Sequence, residues 1–218
     1  MQILNIKGIF YEVDNNKILN NINIDVEGGD CISIVGSSGC GKSTLLKICA
    51  DLISISKGDI YYRGKNYKEC NPLDLRRNIS YCIQSPHLFG EQVFENLEFP
   101  FKIRKESTNK NRISALLERF NLDKGILDKD IHSLSGGEKQ RIAIARNLMY
   151  IPDILLLDES TSALDTVNAQ VVEEYIKDIN KEGVTVIWVT HSLEQSEGIF
   201  NKRITISNGS IEKVEGIR

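Results

Sequence analysis

The chain is poor in the residues from which special-purpose folds are built. Of 218 residues only 4 are proline and 16 are glycine, without a repeating period, which excludes collagen-like and proline-rich extended structures. Histidine occurs 3 times and cysteine 5 times, as Cys31, Cys40, Cys49, Cys70 and Cys82. An odd cysteine count with no C-x-x-C spacing suits reduced thiols, read as small buried or half-buried apolar side chains, rather than a disulfide framework or a zinc site. Long apolar runs are missing too. Stretches such as Ile154–Leu157 and Val184–Val189 fall far short of the roughly 18 residues of a transmembrane helix. The opening MQILNIKGIF has no basic stretch followed by an apolar one, so neither a secretory signal nor a membrane span is expected. Charge of one sign is also lacking, since 27 Lys+Arg stand against 30 Asp+Glu for a net charge of −3. That balance provides no electrostatic reason to expect nucleic acid as a partner.

What remains has globular proportions. Hydrophobic residues at 41% and charged residues at 26% allow a full core and argue against disorder. Apolar, β-rich runs alternate with helical patterns, the signature of an α/β domain with a mostly parallel core sheet. Strands are predicted at Cys31–Val35, Ile154–Leu157, Val184–Thr190 and Arg203–Ser207. Ile18–Val26 and Ile60–Tyr62 alternate or carry turn signals, and read as an antiparallel β side sheet. One helix is expected to carry Leu45, Leu46, Cys49, Leu52 and Ile53. Another, Asn111–Phe120, places Ile113, Leu116, Leu117 and Phe120 on one stripe. Around 85–135 the composition shifts to aromatics and prolines and then to charge, which reads as a helical subdomain inserted in a single domain spanning 1–218.

Directly after the strand CISIV comes GSSGCGKST, residues 36–44, which fits G-x-x-x-x-G-K-[ST] and opens an amphipathic helix. Gly36, Gly39 and Gly41 allow the tight turn that points successive N–H groups at anionic oxygens, and the helix adds its positive dipole end. Lys42 can reach β- and γ-phosphates, and the Ser43 hydroxyl can bind Mg²⁺. Gly36, Ser37, Ser38, Gly39, Cys40, Gly41, Lys42, Ser43 and Thr44 are therefore the candidate phosphate-binding set, a pattern that kinases, GTPases and motor ATPases also use. The second element is ILLLDE, Ile154–Glu159, a buried strand ending in two acids. Paired carboxylates there need a compensating cation. Asp158 is the candidate Mg²⁺ ligand, and Glu159 is the candidate base for an attacking water.

Leu134–Arg141 reads LSGGEKQR. Taken alone, Ser135 and Glu138 form a capping box that opens a helix with Ile142, Ala145, Leu148 and Met149 on one face. A capped helix does not explain Gly136 and Gly137, which weaken a helix start unless something must approach the backbone. The run resembles the signature of ATP-binding cassette (ABC) ATPases, and the resemblance extends from Tyr11 to the strand near Ile204 with no departure at a catalytic position. It implies a P-loop NTPase fold of the ABC type and ATP hydrolysis with Mg²⁺. It also implies a head-to-tail dimer in which Ser135, Gly136 and Gly137 of one copy meet the γ-phosphate held by the other.

Further roles follow from the same resemblance. Gln84, in SYCIQSP, is expected to sense Mg²⁺ and the attacking water. Ser162–Asp165, reading SALD, would couple the two sites. His191, in VIWVTHS, would contact the γ-phosphate and help position Glu159, and Tyr11, or the neighbouring Phe10, would stack on adenine. His87 and His132 receive no role. With no span of its own, the chain would power an integral membrane permease subunit from the cytoplasmic face of the membrane, through a surface drawing on Phe89, Phe94, Phe99 and Phe101. KILNNIN (17–23), the run 80–104 and LLLDESTSALD (155–165) are similar to the ATP-binding subunits of bacterial iron exporters, which makes metal export the favoured role. The alternatives are an importer, a peptide or lipid exporter, or a non-transport ABC ATPase.

Overall fold

A dozen residues make each of the first two strands, and the second alternates buried and exposed positions along its latter half. In the computed structural model, which describes residues 1–190 and 199–217, β1 (Gln2–Val13) and β2 (Asn16–Glu27) pair antiparallel. Asp14 and Asn15 turn the hairpin with φ of 49° and 64°, the left-handed pair that a two-residue turn of this hand requires. Adding β4 (Lys57–Tyr62) and β5 (Lys65–Asn66) makes a sheet of order β2-β1-β4-β5, the antiparallel side sheet that the turn signals predicted.

The second sheet contains β3 (Cys31–Val35), β6 (Ile79–Cys82), β7 (Ile154–Asp158), β8 (Thr185–Val189), β9 (Lys202–Ser207) and β10 (Ser210–Gly216), in the order β10-β9-β3-β8-β7-β6. β3 runs parallel to β8 and β9, and β7 parallel to β8, while β10 pairs antiparallel with β9. Every residue of β7 and β8 is buried, as their unbroken apolar runs imply.

Two compact units result. The first comprises Met1–Tyr81, Pro152–Glu159 and the chain from Asn180 onward; the second comprises Cys82–Ile151 and Ser160–Ile179. In the first unit, which also holds the short α2 (Pro72–Asn78), α1 (Lys42–Cys49) buries Leu45, Leu46, Ile48 and Cys49 in a core shared with Ile9, Leu19, Ile34, Leu156 and Ile204. The helix is shorter than the sequence pattern suggested. Asp51 takes φ 54° and the Leu52 N–H bonds back to the Lys47 carbonyl at 2.9 Å, so the chain turns away and Leu52 is left half-exposed.

The second unit holds α3 (Val93–Lys102), α4 (Lys110–Arg119), α5 (Gly136–Asn147) and most of α6 (Thr166–Lys181). The α4 stripe Ile113, Leu116, Leu117 and Phe120 is buried as expected. α5 differs from the one-faced helix read from the sequence. Gln140 through Ala145 are all buried, with Arg141 donating to the carbonyls of Phe120 and Asn121 at 2.8 and 3.0 Å and to Asn168 at 2.7 Å. Polar residues in the sequence concealed an interior helix, because hydrogen bonds to carbonyls take the place of water.

Candidate functional site

The GSSGCGKST loop leaves the end of β3 and is folded too tightly for side chains at two of its glycines. A Cβ on Gly36 (φ 154°) would lie 2.2 Å from the Ile206 carbonyl oxygen, and one on Gly41 (φ 105°) 2.6 Å from Leu19 Cδ2. Ser37, Ser38 and Gly39 are exposed at the loop crest, while Cys40 is buried beneath them. Lys42 is buried, and its Nζ donates to the carbonyls of Gly36 and Ser37, both at 2.9 Å. Neutral carbonyls hold the ammonium over the loop without cancelling its charge, the arrangement an anion site requires.

Strand β7 delivers Asp158 to the same place. The carboxylate is 3% exposed and both its oxygens accept hydrogen bonds, Oδ1 from Ser43 Oγ at 2.9 Å and Oδ2 from the Tyr81 hydroxyl at 2.7 Å. The hydroxyls of Ser43 and Tyr81 bring no counter-charge to this buried carboxylate, and a cation beside it would supply one. Ser43 and Asp158 are hard oxygen donors of the kind Mg²⁺ takes, so the pair fits that ion. Glu159 follows with φ 48°, and its N–H bonds to the Val189 carbonyl at 3.1 Å. A left-handed glutamate costs on the order of 1 kcal/mol or more, and here it turns the chain sharply out of the sheet directly after Asp158.

In the second unit α5 starts as the sequence indicated. Ser135 Oγ accepts from the Glu138 N–H at 3.2 Å and Glu138 Oε2 accepts from the Ser135 N–H at 2.8 Å, closing the capping box. The bonds that Glu138 Oε2 accepts from the Ser135 N–H and from Ser135 Oγ, both at 2.8 Å, hold its carboxyl below the ordinary value. A Cβ on Gly136 would meet no atom within 4 Å, and one on Gly137 would come only to 3.6 Å from Leu164. Neither position has a left-handed φ, so nothing among the described residues demands glycine there. Bare backbone at an exposed helix start is what a close external ligand needs.

The other candidates are distributed. Tyr11 sits on β1 opposite Leu19, half-buried against the core of the first unit. Gln84 lies two residues past β6, exposed, in the second unit. His191 lies outside the described residues. Of the four phenylalanines proposed for docking, Phe101 is buried and Phe94 half-buried. Phe89 and Phe99 stay 40% exposed, edge to face at 4.8 Å. The buried Asn96 holds the Phe89 main chain through bonds of 3.1 and 2.8 Å. None of the five cysteines is in a disulfide among the described residues. Burial pushes the thiols of Cys49 and Cys82 up to about 12, so both are inert at neutral pH. Among the described residues no group of three or more His, Cys, Asp and Glu is arranged to hold a metal ion, and no helix is long and apolar enough to cross a membrane. Tyr81 is the participant that motif reading missed, because a tyrosine at a strand end has no signature of its own.

A glycine-rich anion loop, a buried acid beside its serine and a capped helix opening on two bare glycines define an ATP-binding cassette. The sequence profile of the ABC transporter family matches residues 19–162, and the chain belongs to that family. It is 45% identical over 194 residues to the "Probable iron export ATP-binding protein FetA" of Escherichia coli strain K12, covering 88% of this chain and 86% of that protein. It is 36% identical to the spermidine/putrescine import ATP-binding protein PotA of Borreliella afzelii, covering 97% of this chain but 62% of that protein. Among solved structures, the dimeric post-hydrolysis state of the ATP-binding cassette MJ0796 bound to ADP and Pi superposes with a TM-score of 0.90 at 28% identity, covering 99% of both chains. The chain is an ATP hydrolase and the ATP-binding subunit of an ABC transporter.

Proposed function

We propose that two copies of this chain hydrolyse two ATP molecules between them and drive a separate integral membrane permease that exports iron or another metal. The observation that carries the catalytic part is the meeting of Lys42, Ser43 and Asp158 at the glycine-rich loop. In this reading the N–H groups of residues 36–44 and the Lys42 ammonium bind the β- and γ-phosphates, and Tyr11 stacks on adenine. Ser43, Asp158 and Gln84 are the residues that would hold Mg²⁺. When bound, the ion neutralises charge on the β- and γ-phosphate oxygens. Glu159, redirected by its left-handed backbone, accepts a proton from the water attacking in line, and His191 steadies the γ-phosphate. Ser135, Gly136 and Gly137 of the second copy close over that phosphate, a role supported by the open space above Gly136. The dimeric state of the MJ0796 cassette bound to ADP and Pi supports pairing of two copies.

The cargo rests on relatedness. FetA is more similar than the polyamine importer, and this chain covers a larger share of its length. Phe89 and Phe99 offer the permease an apolar, pre-formed contact at the cytoplasmic face. The importer reading keeps the same chemistry with another cargo. Isolating the complex from membranes and assaying its ATPase against iron(II), other divalent metals, polyamines and methionine tests this. Stimulation by iron supports the proposal, and stimulation by an organic solute alone overturns the export reading.

A further inference from the structure

Two hydroxyls grip the Asp158 carboxylate, one on each oxygen. Ser43 belongs to the phosphate loop and has a ready role there, whereas Tyr81, although it stands within SYCIQSP, has been given none. Its ring packs half-buried against the core of the first unit, and its hydroxyl donates to Asp158 Oδ2 at 2.7 Å. Tyr81 lies on β6, beside β7 in the sheet, so the strand order brings the phenol to the acid across 77 residues of sequence.

The physical consequence concerns rotation of the carboxylate. An aspartate at a strand end has two soft side-chain torsions, and the second is broad. With Oδ2 bonded to a phenol whose ring is fixed by packing, the plane of the carboxylate is set, and Oδ1 is left facing the Ser43 hydroxyl. That is the face on which a cation bound by Ser43 would sit. We infer that Tyr81 is a positioning residue that pre-orients Asp158 for Mg²⁺ and tunes how tightly this cassette holds the metal–nucleotide complex. The inference rests on the reading of Ser43 and Asp158 as the metal-binding pair. Partners that orient a metal-binding carboxylate are worth about 10- to 100-fold in metal affinity when removed. Only the hydroxyl matters in this account; the ring serves to hold it.

The test is calorimetric and needs no turnover. ATP is titrated into the full chain with excess Mg²⁺ and again with EDTA, for the parent, Tyr81→Phe and Asp158→Asn, with the melting temperature recorded for each. Tyr81→Phe is expected to weaken ATP binding about ten-fold with Mg²⁺ and to leave binding in EDTA within a factor of two. Mn²⁺ in place of Mg²⁺, followed by the paramagnetic resonance of the free ion, should show the same selective loss. If Asp158→Asn abolishes the metal dependence while Tyr81→Phe binds like the parent, the Tyr81 inference is overturned and the metal site stands. Loss in Tyr81→Phe that is equal with and without metal, or that follows a lowered melting temperature, also overturns it, because the hydroxyl would then serve only packing. If Asp158→Asn leaves the metal dependence intact, the metal-site reading falls and the inference with it.

Discussion

A Cβ on Gly36 would lie 2.2 Å from the Ile206 carbonyl oxygen, whereas one on Gly136 would meet no atom within 4 Å. The fold therefore excludes a side chain at Gly36, whereas at Gly136 only the proposed contact from a second copy would exclude one. Gly36→Ala should cost about 2–3 kcal/mol of stability, because the clash is with backbone at a positive φ. Gly136→Ala should leave the denaturation midpoint unchanged or slightly raised, alanine being the better helix former. Its ATPase rate should nevertheless fall on the order of 100-fold, the scale of a reacting group displaced by about an ångström. Denaturant melts and phosphate release on both variants check this. Unchanged turnover in Gly136→Ala would remove the reason for bare backbone there. Both glycines were visible in their motifs, yet only the packing around them separates the two roles.

At the scale of elements, the turn before β3 is tied to β9 by Asp30. Its carboxylate, 8% exposed, accepts from the Glu27 N–H at 2.9 Å, Asn201 Nδ2 at 2.9 Å and Lys202 Nζ at 2.8 Å. Burial alone would raise this pKa, but the bonds from Lys202, Asn201 and Glu27 outweigh it and hold the group below its ordinary 3.8. A depressed carboxylate stabilises the fold above the unfolded value, and that contribution is lost as the pH falls through the folded value. Asp30→Asn is expected to cost about 2 kcal/mol at pH 7, with the gap to the parent constant down to about pH 4 and closing below it. Urea titrations at several pH values measure that gap; a gap that persists at pH 2 would contradict the linkage. Element identity was largely legible in the sequence. Period-2 alternation marked β2, apolar runs marked β7 and β8, and the 3.6-residue stripe marked α4. The failures have physical causes. The end of α1 depends on Asp51 adopting a left-handed conformation, and the burial of α5 depends on Arg141 finding carbonyls that sequence periodicity does not encode.

For the whole molecule, the proposed dimer is the property on which turnover depends. Glu159→Gln keeps the size and hydrogen bonding of the side chain but removes the base. With ATP it should elute at twice the protomer mass and release phosphate at least 100-fold more slowly than the parent. Light scattering on the eluted peak and a phosphate assay read both quantities. A variant that turns over normally would remove Glu159 from the role of base. One that is inactive yet stays monomeric with ATP would separate the chemistry from the dimer.

Sequence alone determined the anion loop, the acid-tipped strand and the capping box, because each is a local pattern whose chemistry needs only neighbouring residues. The α/β class followed from periodicity for the same reason. Tertiary structure decided what depends on strands distant in the chain. It brought Tyr81 to Asp158 across 77 residues and Lys202 to Asp30 across 172, and it showed that Gly36 is enclosed while Gly136 is open. Contacts of that kind arise from strand order in the sheet, which no local run of residues carries.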